Sequence, residues 1–156
     1  MGLIDFVVGA GKKLFGADEA AAAPSQDPAV LSKRAGSLEA EVRSLGLAVD
    51  DLKIKVAEQT AYVRGKVKTQ AEREKVVLAI GNIDGIAKVD DGLEVVNPEP
   101  PARYYTVVKG DTLSKIAKEQ YGSANKYPVI FEANKPMLTN PDRIYPGQVL
   151  RIPAQA

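Results

Sequence analysis

The chain has 156 residues, of which 45% are hydrophobic and 26% charged, and its formal net charge is +1. This length allows one ordinary domain or two small ones, and the composition is typical of a soluble globular protein. The chain has no His and no Cys, which excludes His or Cys zinc sites, disulfides, thiol nucleophiles and a His general base. The near-neutral charge gives no indication of nucleic acid as a partner.

The first residues are apolar, but they match neither a membrane span nor an export signal. No apolar run approaches the roughly 18–20 residues that cross a bilayer. Asp5 interrupts the apolar stretch, and Lys12 and Lys13 follow it, whereas a signal peptide carries its basic residues first. We therefore expect a cytoplasmic protein without stable membrane insertion. A periplasmic location is the alternative, because the alanines at 20–23 could imitate a cleavage site.

Residues 1–26 form the first predicted unit, a short amphipathic segment followed by an alanine-rich linker. Its apolar residues recur at helical spacing, although Gly9 and Gly11 weaken a continuous helix. We expect the apolar stripe to dock on the next domain; location on a membrane surface and a flexible segment are the alternatives. The stripe consists of Leu3, Phe6 or Val7, Ala10 and Leu14.

Residues 27–97 begin with a helix and a hairpin. Asp27 followed by Pro28 combines a capping side chain with a φ angle that is preset for the first helical turn, and Gly46 is a predicted stop. Alternation of apolar residues with lysines over 52–56 predicts a half-buried strand. The apolar residues of 61–67 predict its partner strand.

A second helix and a third strand complete this unit. Thr69 with Glu72 is a capping box, Gly81 ends the helix, and 86–96 contains the strand. The order αββαβ and the stretch Glu74-Lys-Val-Val-Leu-Ala-Ile-Gly-Asn-Ile-Asp-Gly-Ile-Ala-Lys-Val-Asp-Asp91 resemble the BON domain of bacterial proteins. We therefore expect a BON domain over 27–97.

A proline-rich linker over 98–103 precedes the last unit, residues 104–153. We expect a strand that ends at Gly110-Asp111, a helix opened by Thr112 and Leu113, a second helix capped by Asn125, and a Pro-Gly turn before a closing strand. Tyr127, Ile130 and Phe131 are predicted to face inward. This layout resembles the LysM domain, a βααβ unit, so the predicted fold is α+β with two small domains.

The LysM resemblance implies binding of N-acetylglucosamine polymers such as peptidoglycan. In that family the glycan lies in a shallow groove between the loop after the first strand and the segment before the last. The alternative interpretation is that these residues serve the fold alone, as a turn glycine, a helix cap and core residues. The matching positions are Gly110, Asp111, Thr112, Leu113 and Ile144.

Catalysis is not indicated by any motif. The adjacent carboxylates Asp50-Asp51 and Asp90-Asp91 lie near predicted strand ends, where neighbours point to opposite faces, and we interpret them as solvated. No phosphate-cradling Gly-Lys-Ser/Thr loop is present. We expect a binding protein and not an enzyme.

Taken whole, the chain resembles the small cytoplasmic potassium-binding proteins of bacteria, which join BON to LysM. The match is closest at 1–3, 6–7, 10–11 and 13–14, at Gly81-Asn-Ile-Asp-Gly-Ile86, and across 104–153. The resemblance implies that K⁺ is held by backbone carbonyls of the N-terminal segment and of the glycine turn. Carried onto this chain, these carbonyls belong to Val7, Ala10, Lys12, Gly81, Ile83 and Gly85.

Elementary chemistry favours the same place. Neutral carbonyl oxygens can replace the water shell of K⁺, and the last turn of a helix leaves carbonyls free at the negative end of its dipole. Gly81 and Gly85 permit conformations that turn several oxygens inward. An ordinary helix end is the alternative, and the positive Lys12 lowers affinity unless its side chain points away. Calcium is disfavoured because no EF-hand loop is present.

Two functions follow as hypotheses. The first is a cytoplasmic K⁺ sensor or buffer, in which the ion orders the N-terminus and the domain arrangement and LysM packs or binds another macromolecule. The second is a peptidoglycan-binding protein of the cell envelope.

Overall fold

Two β-sheets organise the chain in a computed structural model, which describes residues 2–8, 10–15 and 23–154. The strands are β1 (Gly2–Asp5), β2 (Asp50–Ala57), β3 (Thr60–Thr69), β4 (Lys88–Asn97), β5 (Arg103–Thr106) and β6 (Val149–Ile152). The helices are α1 (Pro28–Ser44), α2 (Gln70–Gly81), α3 (Leu113–Tyr121), a short 3₁₀ helix (Ala124–Lys126) and α4 (Tyr127–Ala133). The predicted α+β class is confirmed. The predictions for Gly9 and for the linker at 16–22 lie outside the described residues.

The first sheet has the strand order β1-β4-β3-β2. β2 and β3 form an antiparallel hairpin, whereas β3 and β4 are parallel because α2 crosses over between them. Both α1 and α2 pack against this sheet. The core between them includes the fully buried Leu38, Val42, Val63, Ile80 and Ile86. The predicted αββαβ order is therefore present.

Capping side chains set the starts of both helices, as predicted. The Asp27 carboxylate accepts a hydrogen bond from the Ala29 N–H (3.0 Å) at the start of α1. At the start of α2, Thr69 Oγ1 accepts from the Glu72 N–H (3.1 Å). The Glu72 carboxylate reaches back to the N–H of Lys68 (3.1 Å), so the capping box closes one residue earlier than its usual form.

The helical spacing of the apolar residues in the N-terminal segment does not produce a helix at its start. Residues Gly2–Asp5 form β1, which pairs antiparallel with the edge of β4. The unpaired backbone groups of that edge offer hydrogen bonds to an extended segment, and the neighbouring glycines weaken a helix. The predicted docking on the BON core is confirmed, since Phe6 is only 8% exposed and belongs to that core, while Leu3 of the same stripe is 58% exposed.

Asp91 corrects a second expectation. It was predicted to be a solvated strand end, but it is buried within β4. Its carboxylate accepts a hydrogen bond from Arg73 Nε (2.8 Å) and another from the Leu93 N–H (3.0 Å). The pair ties the start of α2 to the sheet and serves the fold.

The C-terminal unit is a two-stranded antiparallel sheet, β5 and β6, covered by α3 and α4. Its separate core includes Leu113, Ile116, Ile130 and Leu150. α3 begins after Thr112, whose hydroxyl accepts from the Lys115 N–H (3.1 Å), as predicted.

Three details of this unit differ from the prediction. β5 ends at Thr106 and not at Gly110-Asp111, because the Asp111 carboxylate accepts from the Val108 N–H (3.0 Å) and folds that segment into a turn. Asn125 lies inside the 3₁₀ helix, and α4 starts without a side-chain cap. Tyr127 is 38% exposed and does not face inward.

The two units meet along α2 and β6. The buried Glu74 carboxylate pairs with Arg151 (Oε1 to Nη2 2.9 Å) and accepts from the Ala102 N–H (2.9 Å). Farther along α2, the Asn82 side chain pairs with the backbone of Val149, and Val149 joins the first core. These polar contacts give the C-terminal unit a defined position on the first.

Replacing Glu74 by Gln keeps the shape of the side chain and removes its charge, which leaves Arg151 buried without a counter-ion. We expect the free energy of unfolding to fall by about 3 kcal/mol. In the control Glu132→Gln, which loses the exposed pair with Lys135, we expect a loss below about 1 kcal/mol. Urea unfolding measures both values, and equal losses would contradict the account.

Candidate cation site

The N-terminal segment crosses the end of α2 and is held there by backbone hydrogen bonds. The N–H of Lys12 donates to the carbonyl of Asn82 (3.0 Å), and the N–H of Asp84 donates to the carbonyl of Lys12 (2.9 Å). Lys12 and Ile83 therefore form an isolated parallel bridge. Two segments that are about seventy residues apart in sequence lie side by side.

Two glycines make this approach close. A Cβ on Gly81 would lie 2.0 Å from Cζ of Phe6, so the ring rests directly on the helix backbone. A Cβ on Gly11 would lie 2.2 Å from the carbonyl oxygen of Asn82 and 2.8 Å from the nitrogen of Asp84. Neither distance leaves room for a side chain, so these positions require glycine.

The turn after α2 leaves backbone groups that no helix or sheet uses. The helix ends with Asn82 donating to Leu78 (3.0 Å), and Ile86 then donates to the carbonyl of Ile83 (3.1 Å). Gly85 has a φ of 106°, a conformation that glycine adopts without strain. The predicted glycine turn is therefore present, at the negative end of the α2 dipole.

The six predicted carbonyl ligands differ in the number of hydrogen bonds that they already accept. Among the described residues, the carbonyls of Val7, Ala10, Gly81 and Gly85 accept no backbone hydrogen bond, and Ile83 accepts one. The Lys12 carbonyl accepts two, from Leu14 and Asp84 (2.9 Å each), which occupies both of its lone pairs. The structure brings Lys12 and Ile83 together directly.

Val7 and Ala10 lie against the C-terminal unit. A Cβ on Gly147, in the loop before β6, would be 2.6 Å from the Ala10 Cβ and 3.2 Å from Cγ1 of Val7. Both residues precede the bridge at Lys12, so one short stretch of chain touches both units. Its conformation therefore depends on how the two units are placed.

The charges around the turn are paired. The Lys12 ammonium bonds both oxygens of the buried Glu41 (2.8 and 3.0 Å), and that of Lys13 pairs with the buried Asp84. The Lys12 charge is thus matched by an anion from α1. Among the residues that the structure describes, no group of three or more His, Cys, Asp or Glu side chains could hold a metal ion.

A cavity of about 310 Å³ adjoins the turn, between it and the loop that leads to β6. Lys12, Asn82 and Ile83 line it together with Tyr145 and Gln148. Burial raises the pKa of the Tyr145 hydroxyl to about 12, and Glu41 and Arg143 add charged groups to the lining.

The residues predicted for glycan binding have structural roles. The Asp111 carboxylate accepts from the Tyr105 hydroxyl (2.6 Å). Burial opposes its ionisation, but the hydrogen bonds from Tyr105 and Val108 and the charge of Lys115 prevail and lower its pKa. The same hydrogen bond, with burial, raises the pKa of Tyr105 to about 12. Asp111 is thus a fixed acceptor within the loop.

The other four glycan candidates also contribute to the fold. Gly110 has a φ of 90°, Thr112 caps α3 and Leu113 is buried in the core. Ile144 is partly buried against the same core. The structure keeps Gly110–Leu113 together at the start of α3.

Sequence reasoning missed Asn82 and Glu41. Asn82 follows Gly81 at a helix end, where an asparagine is typical of a cap, so its sequence context carries no sign of a partner in the C-terminal unit. Glu41 lies on α1 among other charged residues, and nothing in its spacing indicates that it faces Lys12. Both contacts arise only when distant segments meet.

Comparison with known proteins agrees with this architecture. The BON domain family matches residues 33–97, and the LysM domain family matches residues 105–153. The Escherichia coli O6:H1 potassium binding protein Kbp is 44% identical over 156 residues, which cover 99% of this chain and 100% of the relative. The chain belongs to the Kbp family.

An uncharacterized protein of Deinococcus radiodurans is 30% identical over 152 residues. The match covers 82% of this chain and 59% of that longer protein. The two family matches confirm the predicted succession of a BON domain and a LysM domain. Across the described ranges, no helix is long and apolar enough to cross a bilayer.

Adding one methyl group at Gly11 tests the docking of the N-terminal segment. The new Cβ would collide with backbone atoms of the turn, so we expect Gly11→Ala to lower the free energy of unfolding by about 1–3 kcal/mol. Gly36→Ala is the control, because this exposed residue of α1 has open space around it. It should instead gain about 0.5–1 kcal/mol through helix propensity. Urea unfolding of both variants is the measurement, and a Gly11→Ala protein as stable as the parent would contradict the docking.

Proposed function

We propose that the protein is a non-enzymatic K⁺-binding protein whose ion is held by the backbone carbonyls of Val7, Ala10 and Lys12 and of Gly81, Ile83 and Gly85. The observation that carries the proposal is the bridge between Lys12 and Ile83, which joins the two segments. The whole-length similarity to a potassium binding protein supports the choice of ion.

The chemistry of this place suits a large monovalent cation. Carbonyl dipoles can substitute for the hydration shell of K⁺ without a net charge. The C-terminal end of α2 adds a partial negative charge, and the buried Asp84 and Glu41 add two carboxylates whose charges Lys13 and Lys12 balance. A divalent ion would lack the cluster of anionic ligands that it prefers.

Two of the proposed ligand carbonyls, those of Lys12 and Ile83, already accept backbone hydrogen bonds, and ion binding has to accommodate these bonds. Ile83 retains a lone pair for the ion, whereas Lys12 has to release the hydrogen bond from Leu14 or from Asp84. Release of the Asp84 N–H would move the turn relative to the N-terminal segment. We propose that ion binding includes this local rearrangement.

Ion binding of this kind orders the chain. A ligand that binds only the docked state stabilises that state by mass action. The protein would then report or buffer K⁺, and we propose the cytoplasm as its location. Its output would be the position of the N-terminal segment and of LysM, which is free to contact another macromolecule.

Thermal melts in matched chloride salts test the choice of ion. At a K⁺ concentration one hundred times the dissociation constant, the stabilisation is about 2.7 kcal/mol. For a chain of this size that corresponds to a rise in Tm of roughly 5–10 °C. Sodium, lithium and choline chloride at the same ionic strength serve as controls. An equal rise in all four salts would overturn the proposal.

Two Gly→Val substitutions, each at a glycine with a positive φ, test where the ion binds. Gly85→Val forces a β-branched residue into a positive φ within the turn, and we expect the K⁺-dependent rise in Tm to disappear. Gly122→Val does the same at the end of α3, where φ is 79° and the surroundings are open. Both should lose about 1–3 kcal/mol of stability. Only Gly85→Val should lose the response to K⁺, and its full retention there would place the ion elsewhere.

The LysM match supports a second candidate, binding of peptidoglycan through the Gly110–Leu113 side and Ile144. We propose it as a separate activity and not as a substitute for the cation site. Co-sedimentation with purified peptidoglycan, competed by N-acetylglucosamine oligomers, would support it. A protein that stays in the supernatant would exclude it, and recovery of the intact N-terminus from the cytoplasmic fraction would argue against an envelope role.

A further inference from the structure

One edge of β6 is not paired with any strand of the described residues. Its other edge pairs with β5, with Leu150 opposite Tyr105. The backbone N–H and C=O groups of Val149 and Arg151 are instead bonded by two asparagine side chains, Asn82 and Asn134. Each amide acts as a peptide group would in a neighbouring strand, since it offers one acceptor and one donor.

The two asparagines come from different units. Asn134 follows α4 within LysM, accepts from the Arg151 N–H (2.8 Å) and donates to its carbonyl (3.0 Å). Asn82 follows α2 within BON and makes the same two bonds to Val149 (2.9 Å each). One contact therefore belongs to the LysM fold, and the other holds the two domains together.

Asn82 also lies inside the turn that forms the proposed cation site. Its carbonyl accepts from the Lys12 N–H, and it lies between Gly81 and Ile83. The residue is 7% exposed. It therefore contacts the N-terminal segment, the turn and the edge of β6 at once.

We propose that Asn82 is the positioning residue that couples K⁺ occupancy of the turn to the docking of LysM on BON. This inference rests on the proposed function. A turn that shifts when its carbonyls meet the ion also moves the Asn82 side chain, because the two share one backbone. When the amide is misplaced, the buried Val149 N–H and C=O lose their partners, which disfavours the docked arrangement.

The ion pair at the junction lies outside the turn. The pair between Glu74 and Arg151 is farther back on α2, about two helical turns from Asn82. It favours docking whether or not the ion is bound. Asn82 is the contact in which docking and the turn geometry share a residue.

Thermodynamic linkage makes the coupling reciprocal. If K⁺ favours docking, docking must tighten K⁺ binding by the same factor. Loss of the Asn82 side chain should therefore weaken K⁺ although no ligand carbonyl is removed. We expect a fall in K⁺ affinity of about fivefold or more in Asn82→Ala.

Isothermal calorimetry and small-angle scattering in KCl and choline chloride test this, with Asn134→Ala as the matched control. The wild-type protein should bind K⁺ and compact. Asn82→Ala should bind K⁺ more weakly and fail to compact, whereas Asn134→Ala should lose stability but keep wild-type affinity and compaction.

Asn82→Ala with unchanged affinity and compaction would overturn the coupling and leave the cation site intact. Equal losses in both variants would show a purely structural role and would also overturn it. A wild-type protein that does not respond to K⁺ would overturn the proposed function as well, so the two failures are distinguishable.

Amide hydrogen exchange on the wild-type protein tests the coupling even if Asn82→Ala does not fold. The Val149 amide donates to Asn82, and the Arg151 amide, two residues away, donates to Asn134. We expect K⁺ to slow exchange at Val149 by about tenfold relative to choline, a factor that corresponds to a modest population shift, with little change at Arg151. The same change at both amides, or none at Val149, would overturn the coupling.

Discussion

The backbone contact between the N-terminal segment and the end of α2 is the constraint on which the rest depends. The hydrogen bonds that join Lys12 to Asn82 and Asp84 hold the two carbonyl-bearing segments together, and Phe6 on Gly81 closes the gap behind them. Without this contact, the two segments that carry the proposed ligand carbonyls would not lie side by side. The glycines at 11 and 81 are required because any side chain there would separate the segments.

The charged side chains near this contact are paired with one another. Lys12 and Lys13 each face a buried carboxylate, Glu41 or Asp84. Pairing of these lysines removes the repulsion that an approaching cation would otherwise meet. The carboxylates are in turn kept from acting as hard anionic ligands. In the proposed site, carbonyl dipoles would then be the main attraction, and this would favour a monovalent ion over a divalent one.

Much of the fold could be predicted from local patterns. The caps at Asp27 and Thr69, the alternation in β2 and the Thr112 cap each depend on residues within a few positions of one another, so the sequence displays them directly. The N-terminal segment was mispredicted because its strand exists only against the distant edge of β4. Asn125 and Tyr127 were misplaced because a 3₁₀ turn shifts the start of α4.

The sequence allowed only part of the proposed cation site to be predicted. Backbone carbonyls have no side-chain signature, so only the glycine turn and the whole-chain resemblance pointed to them. The roles of Asn82 and Glu41 depend on partners far along the chain, since Val149 is 67 residues from Asn82. The six proposed ligand positions could be named from the sequence. Only the structure shows that the Lys12 carbonyl already accepts two hydrogen bonds.

Anomalous diffraction from crystals grown in rubidium chloride, beside a lithium chloride control, would locate the proposed ion. Rubidium is a heavier monovalent substitute for K⁺, so its position marks the binding site. The account predicts a rubidium-specific peak between residues 7–12 and 81–85, contacted by carbonyl oxygens of both segments. A peak bound only by carboxylates, or one confined to the LysM unit, would contradict it.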